Sequence, residues 1–534
     1  MQIALIFVLL LSFVFGLGLL ARRLAIPYPI FFVIGGLVIG FIPILPTQLS
    51  LDPQLIFFLI LPPLLYIQAF YTSWRDFRFY LRPILLLAIG LVIATTVTVA
   101  YVAHWLIPGL PLSAGFVLGA IISPPDAIAV SAIAQRLGLP RRVVTILEGE
   151  SLVNDATSLV IFKVALAAVG ATVPLFGDAW IPGEFIYVAI GGIAVGLVVG
   201  RFIRWLRRKL INDGVQIALT VSLLTPYLSY LLADHFLHVS GVLAVVATGL
   251  YLGWEAPGAL DSDVRLQTRA FWDSIIYLLN GIVFVLIGLQ LPGILRSMEE
   301  PWWPGPFLYA LAINAVCIIV RLGWIFPGAY IPQLIKRIRQ TEERPDWRQV
   351  AIIGWAGMRG IVSLAAALTL QGYPDFPRPH LVQFIAFSVI LTTLVFQGLT
   401  LPPLIRFLGV GDDGIFAREE LDARKLISQA VFAKISELRA EQKFPTSAID
   451  SVESTYRERA LFLHDELADQ LGWSDRRHHV LSARRLRRLT IAVQRRALVG
   501  MRRDELIGDD VMHKIEHELD LEEVRLNGLG LPPQ

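Results

Sequence analysis

Eight consecutive residues, Glu148-Gly149-Glu150-Ser151-Leu152-Val153-Asn154-Asp155, put carboxylates, a hydroxyl and an amide into an otherwise apolar stretch. On a helix, Ser151 and Asp155 stand four apart and share one face, as do Glu150 and Asn154. Counted from Val143, Asp155 falls roughly 18 Å along the helix at 1.5 Å per residue. That is a little past the middle of a ~30 Å hydrocarbon core. Asp155 and Ser151 offer hard oxygens suited to a small alkali cation, and a carboxylate also takes a proton. Ionisable groups at this depth cost ~3 kcal/mol or more and are functional by default. The competing reading is an Asp155 that merely pairs with an arginine.

A second cluster is Ser123-Pro124-Pro125-Asp126. Each proline removes a backbone N–H and clashes with the preceding turn, so two in succession open a helix. Carbonyls before the prolines lose their partners, and Asp126 sits favourably in the first turn of the helix that follows. Irregular backbone at membrane depth is tolerated where it lines a cavity or is buried in protein, and such breaks build ion sites. The bland alternative is a proline kink capped by Asp126. Arginine supplies the third group: Arg321, and Arg359 within Gly357-Met358-Arg359-Gly360. A buried arginine calls for a carboxylate partner, and Glu150, Glu148 and Asp126 are the candidates. The pairing adopted is Arg321 with Glu150 as a structural tie, leaving Asp155 to do chemistry. Gly357 and Gly360 around Arg359 suggest a second broken helix. Lys163 is expected to snorkel to the outer surface, and His104, His235 and His238 to sit near helix ends.

The elements that carry these groups follow from composition. Of 534 residues, 55% are hydrophobic and only 17% charged. A soluble domain of that size cannot hide so much apolar surface. Long uncharged runs predict spans at 2–20, 26–45, 52–70, 83–107, 111–134, 143–170, 184–203, 214–232, 239–254, 270–292, 304–331, 349–371 and 381–405. The first run lacks the basic start and small-residue cleavage site of a signal peptide, and is read as a spanning helix. Basic residues crowd alternate loops: Arg22 and Arg23; Arg75, Arg78 and Arg82; Arg136, Arg141 and Arg142; Arg204, Arg207, Arg208 and Lys209; Arg265 and Arg269; Lys336, Arg337, Arg339 and Arg344. The other loops hold only Arg296 and Arg378. Positive loops stay cytoplasmic, which predicts an N-terminus outside and a C-terminus inside a cell membrane.

The expected architecture is therefore an all-α integral membrane domain over 1–407, of about thirteen spans with breaks at mid-membrane. A cytoplasmic tail over 408–534 follows, in which hydrophobic runs give way to charged segments such as Ala483–Arg496 and Asp504–Arg525. Val511–Leu526 keeps apolar residues at helical spacing, so the tail reads as short amphipathic helices. Glycines at 192, 196 and 200, and at 36 and 40, form small-residue ridges suited to close helix packing. Cys317 stands alone, so no disulfide framework and no cysteine metal site is expected. The formal net charge of +3 suggests no nucleic-acid partner. No Gly-x-Ser-x-Gly, His-Glu-x-x-His or phosphate-binding Gly-x-x-x-x-Gly-Lys occurs, so neither a membrane enzyme nor an ATP-driven pump is indicated, and no cofactor is expected.

These stretches, together with Leu61-Pro62-Pro63-Leu64-Leu65, Ser240-Gly241-Val242-Leu243-Ala244 and Leu286-Ile287-Gly288-Leu289-Gln290-Leu291, resemble the NhaP/NHE branch of the sodium/proton antiporters over about residues 1–405. The resemblance implies inverted six-helix repeats, a homodimer, and a cation held near Asp155, Ser151 and the broken-helix backbone, with Asn154, Asp126 and Ser123 in the same ion site. It also implies that Arg321 holds Glu150, and that Asn154 before Asp155 marks electroneutral one-for-one exchange. Two positions depart from the pattern. Pro125 stands where many relatives have threonine, and Tyr66-Ile67-Gln68 offers no acid where relatives often place one. The expected activity is exchange of a monovalent cation, Na⁺ foremost with K⁺ or Li⁺ as alternatives, for protons that compete at Asp155. A cation channel or an ion and pH sensor on the same bundle is the rival. Asp155→Asn is expected to abolish exchange while the protein still folds and inserts; wild-type-like proton flux by that variant in proteoliposomes would refute the assignment.

Overall fold

In a computed structural model, residues 2–24, 27–42, 56–169, 181–209, 214–255, 262–298, 301–341, 344–373, 375–411, 414–442 and 444–463 are described, with scattered positions beyond. Among them every regular element is helical. Two compact units result, Met1–Asp412 and Asp413–Gln534. The tail segments Ala483–Arg496, Asp504–Arg525 and Val511–Leu526 lie largely outside the described residues.

The first unit opens with α1 (Gln2–Leu24) and α2 (Tyr28–Gly40). Then come α3 (Leu61–Tyr71), α4 (Leu81–Leu106), and the pair α5 (Leu112–Ile122) and α6 (Ala127–Leu137). The helix bearing the acidic cluster is α7 (Arg141–Ala167), followed by α8 (Ile181–Lys209), α9 (Val215–Leu231) and α10 (Gly241–Glu255). The rest are α11 (Ser262–Ser297), α12 (Gly305–Tyr330), the pair α13 (Trp347–Trp355) and α14 (Ile361–Thr369), and α15 (Pro379–Leu391) leading into α16 (Gly398–Leu408).

Six helices among the described residues are long and apolar enough to cross a membrane. Side chains on the rim of the bundle are large, apolar and exposed, as at Trp105, Val198, Ile319 and Phe407. A surface of that kind fits lipid rather than water. The helix α7 is not one of the six, because Glu148, Glu150, Asp155 and Lys163 interrupt its apolar run. The expected span 270–292 is only the centre of α11, which continues through the cytoplasmic-type charges at Arg265 and Arg269 over 36 residues. Charged residues end a hydropathy window without ending a helix. The expected span 26–45 is helical only over Tyr28–Gly40, and positions 43–55 lie outside the described residues.

The glycine ridges pack internally. A Cβ on Gly36 would run into the Val285 carbonyl, and one on Gly288 would meet the backbone of Val33 and Leu37, so α2 and α11 touch backbone to backbone. Gly192, Gly196 and Gly200 similarly set α8 against Ser240, Ala244 and Tyr251 of α10. With no water to expel between helices in lipid, such close approach supplies the packing attraction. In the second unit, α17 (Ile415–Ala440) and α18 (Thr446–Leu463) pack together, and Arg439 reaches Asp450 at 2.7 Å and Glu453 at 2.5 Å.

Gly36→Ala or Gly288→Ala should each cost about 1–3 kcal/mol by overpacking, read as a lowered unfolding temperature in detergent. Gly293→Ala, with open space at its Cβ, should leave that temperature unchanged or raise it.

Candidate functional site

Two helices are interrupted, and the interruptions meet. The first runs through Ser123–Asp126 between α5 and α6, where Pro124 and Pro125 have no N–H to give. The second runs through Ala356–Gly360 between α13 and α14. The Asp126 amide donates to the Met358 carbonyl at 2.6 Å. Arg359 Nε donates to the Ile122 carbonyl at 3.0 Å, its Nη1 to the Gly357 carbonyl, and its backbone N–H to Thr393 Oγ1 at 3.0 Å. Each break thus supplies donors for the orphan carbonyls of the other. The expectation that a carboxylate pairs with Arg359 is corrected here. Carbonyls exposed by unwinding form a partial negative charge, which accepts the guanidinium without a buried counter-ion.

Asp126 caps α6: its Oδ1 accepts from the Ile128 amide at 2.8 Å. Its Oδ2 lies against Gly360, where any Cβ would collide with the carboxylate. Gly360 is the residue that lets one break approach the other.

On α7 the two carboxylates point different ways. Glu150 is buried against α12 and accepts both Nη atoms of Arg321, at 2.6 and 2.9 Å, while Arg321 Nη2 also donates to the Ile353 carbonyl at 3.1 Å. Gly357 gives that guanidinium room, since a Cβ there would press on its Cδ and Nε. Asp155, 7% exposed, has no hydrogen bond or ion pair to its carboxylate among the described residues. It lines a cavity of about 20 Å³ with Ser151, Asp126, Pro124, Pro125, Gln68 and the start of α14 from Gly360 to Ser363. That volume suits one water or one small ion. Two carboxylates and two hydroxyl side chains converge on it, a donor set for a hard monovalent cation or for a proton.

Not every expected site residue reaches this space. Asn154 Nδ2 donates to the Pro125 carbonyl at 3.1 Å, so Asn154 straps the first break to α7. Ser123 Oγ donates back to the Ala120 carbonyl at 3.1 Å. Both stand outside the cavity lining. The carbonyls expected to bind a cation are partly occupied in this way: Ile122 by Arg359 and Pro125 by Asn154. An unwound carbonyl in a dry core takes the nearest donor, and here side chains of the neighbouring elements supply it. Glu148, two turns below Asp155 on α7, accepts from Ser131 Oγ at 3.0 Å instead of meeting an arginine. Lys163 reaches Asp234 at 3.0 Å in an exposed pair. Gln68 and Ser363 are cavity residues to which the sequence reading assigned no ion-site role. The signal for Ser363 was its place four residues past Arg359, in the first turn after the second break.

With this geometry in hand, comparison with known proteins is informative. Residues 9–407 match the family model described as sodium/hydrogen exchanger, transmembrane. An uncharacterised Na⁺/H⁺ exchanger of Mycobacterium tuberculosis is 36% identical over 518 residues, covering 95% of this chain and 93% of that one. A sodium, potassium, lithium and rubidium/H⁺ antiporter of Bacillus pumilus is 36% identical over 418 residues, covering 76% of this chain and 61% of its own length. The sodium proton antiporter MjNhaP1 of Methanocaldococcus jannaschii, solved at pH 8, superposes with a TM-score of 0.60 at 20% identity, over 77% of this chain and all of that one. At that identity the likeness is one of fold.

Breaking the Glu150–Arg321 pair by Glu150→Gln leaves a guanidinium buried and unpaired, and should destabilise the bundle by about 3–5 kcal/mol. The double variant Glu150→Leu with Arg321→Leu should recover much of that loss in thermal unfolding, the signature of a structural pair.

Proposed function

Because the chain belongs to the sodium/hydrogen exchanger family, we propose that Asp155 is the one carboxylate shared in turn by the transported cation and the proton. The protein is a multi-pass membrane cation/proton antiporter. The observation that carries the site is the contrast on one helix: Glu150 is held by Arg321, whereas Asp155 faces a cavity with no partner on its carboxylate. An acid satisfied by arginine cannot exchange ligands; an acid facing an ion-sized space can.

In this reading, Ser151 and Asp126 complete the oxygen set, while Asn154 and Ser123 act indirectly by holding the first break in shape. Arg359, Gly357 and Gly360 hold the second break against the first. A proton or a monovalent cation neutralises Asp155, and the neutral carrier changes its facing. The empty, charged site crosses poorly, because a bare carboxylate in a low-dielectric interior is costly. Coupling then needs only that the two occupants exclude each other. One proton against one cation makes the cycle electroneutral, as Asn154 ahead of Asp155 suggests. Na⁺ is the first candidate cation; the names of relatives that handle potassium, lithium and rubidium support testing those as well.

The basic loops support a membrane orientation with the N-terminus outside and the C-terminus in the cytoplasm. Thirteen spans with inverted repeats and a homodimeric assembly belong to the same proposal. Family membership favours a carrier over a channel, and the cavity, with room for a single ion, favours one-at-a-time transfer over a file of ions.

Competition for one carboxylate is reciprocal. The apparent KM for the cation should therefore rise as pH falls, by up to about tenfold per pH unit at the acid end, the slope of one-site competition. Dye-reported proton flux in proteoliposomes, driven by Na⁺, K⁺ or Li⁺ across a pH series, measures this. A KM independent of pH, or unitary currents in planar bilayers, would overturn the scheme.

A further inference from the structure

Hydroxyls inside the helices of this protein nearly always turn back on their own backbone. Thr98 donates to the Ala94 carbonyl at 2.8 Å, Thr157 to Val153 at 3.1 Å, Thr225 to Val221 at 2.6 Å, and Thr393 to Val389 at 2.8 Å. This is the usual fate of a serine or threonine in an apolar helix, because the carbonyl four residues earlier is the nearest acceptor. Thr96 and Ser363 depart from it among the described residues, and of the two it is Ser363 that lines the cavity. Ser363 is 1% exposed, yet its Oγ has no hydrogen-bond partner among the described residues. The reason lies in the second break: the residue four positions earlier is Arg359, which precedes the first turn of α14 instead of belonging to it. The back bond is lost together with the helix.

A buried hydroxyl left without a partner costs about 1–3 kcal/mol by mutational measures, so its persistence calls for a use. Ser363 lines the cavity that Asp155, Ser151 and Asp126 also line. It approaches from the α14 side, while Asp155 and Ser151 approach from α7. In the first break Pro125 has no hydroxyl to offer, and Ser123 has spent its own on Ala120. The other orphan oxygen at the site, Asp126 Oδ2, lies on the same side against Gly360.

We infer that Ser363 Oγ is a direct ligand of the transported monovalent cation, supplying from the second broken helix a hydroxyl that the first does not offer. The inference rests on the assignment of Asp155 as the ion site. A hydroxyl is a neutral hard ligand: it contributes to cation binding through its lone pairs and leaves the proton on Asp155 unaffected. Ser363 is therefore a specificity residue, acting on cation affinity and on the ranking of cations by size. Its position on α14 also means that the bound cation bridges α7 and α14, whereas a proton on Asp155 does not.

The test is proteoliposome exchange by Ser363→Ala, Ser363→Cys and Ser363→Thr beside wild type and Asp155→Asn. Ser363→Ala should raise the apparent KM by roughly three- to tenfold, the worth of one lost polar contact. The rise should differ between Li⁺, Na⁺ and K⁺, while the maximal rate at saturating cation and the unfolding temperature stay near wild type. Ser363→Cys keeps the volume but replaces a hard oxygen by a soft sulfur, and should show the same shift even where the alanine variant folds poorly. Ser363→Thr should restore wild-type KM. If Asp155→Asn is inactive while Ser363→Ala and Ser363→Cys keep every cation KM within twofold, Ser363 is not a ligand and the Asp155 reading survives. A uniform loss of maximal rate with unchanged cation ranking would likewise overturn the inference, marking a packing role. Exchange by Asp155→Asn would instead remove the ion site on which it rests.

Discussion

Two unwound stretches of backbone face each other in the middle of this bundle, and each satisfies the other. In hydrocarbon an unpaired amide or carbonyl finds no water, so an isolated break in a helix costs several kcal/mol per orphan group. Here the Asp126 amide donates to Met358, Arg359 donates to Ile122, and the Asp126 side chain caps the helix that follows it. Neither break is tenable without the other. The prolines at 124 and 125 create the first, glycines 357 and 360 permit the second, and the hydrogen bonds between them fix how closely they sit. The cavity in front of Asp155 is what remains where these two irregular segments and α7 cannot fill space as regular helices would.

Much of this was legible in the sequence, for identifiable reasons. Prolines act through their own covalent structure, so the break at Ser123–Asp126 can be read without knowing any neighbour. The place of Asp155 about midway along α7 follows from helix rise alone. The tie between Glu150 and Arg321 follows from the cost of leaving either buried by itself, and the structure pairs them at 2.6 Å. What could not be read is whatever depends on which donor reaches which acceptor from another element. Arg359 was expected to need a carboxylate, but carbonyls released by the breaks serve it instead. Asn154, expected in the ion site, stands outside the cavity lining; its Nδ2 is used on the Pro125 carbonyl, and its Oδ1 has no partner among the described residues. Ser363 passed unnoticed because an orphan hydroxyl is defined by a bond that is missing, and sequence shows residues, not bonds. The extent of α11 was likewise hidden, since charge ended the apolar window while the helix ran on.

The same logic explains why α7 is not among the six helices with a long enough uninterrupted apolar window. Its carboxylates disqualify it as a spanning helix by composition, yet it is wrapped by α5, α4 and the two breaks, so little of it meets lipid. A helix shielded on most sides by protein can carry charge that a lipid-facing helix cannot. Small residues contribute to that shielding: Gly149 lies under Ile84 and Phe77, where a Cβ would press on both side chains. Helices at the rim, by contrast, present tryptophan, phenylalanine and aliphatic side chains to the surroundings, as at Trp105, Val198, Ile319 and Phe407.

Rotation along α7 separates the acid held by arginine from the acid that faces the cavity. Glu150 and Asp155 are five residues apart, which at about 100° per residue turns them roughly 140° from each other. One carboxylate therefore meets Arg321 on α12 and the other meets the cavity. Asn154 stands roughly 40° from Glu150, and Ser151 roughly 40° from Asp155, so each acid has a polar neighbour on its own side. On the Glu150–Asn154 side, Glu150 is held by arginine and Asn154 Nδ2 by a backbone carbonyl, while Asn154 Oδ1 has no hydrogen-bond partner among the described residues. The bidentate Glu150–Arg321 pair ties α7 to α12, and the Asn154 bond ties it to the first break. Such a division suits ligand exchange, because an acid that is to trade one ligand for another must be held in position by groups other than those it binds.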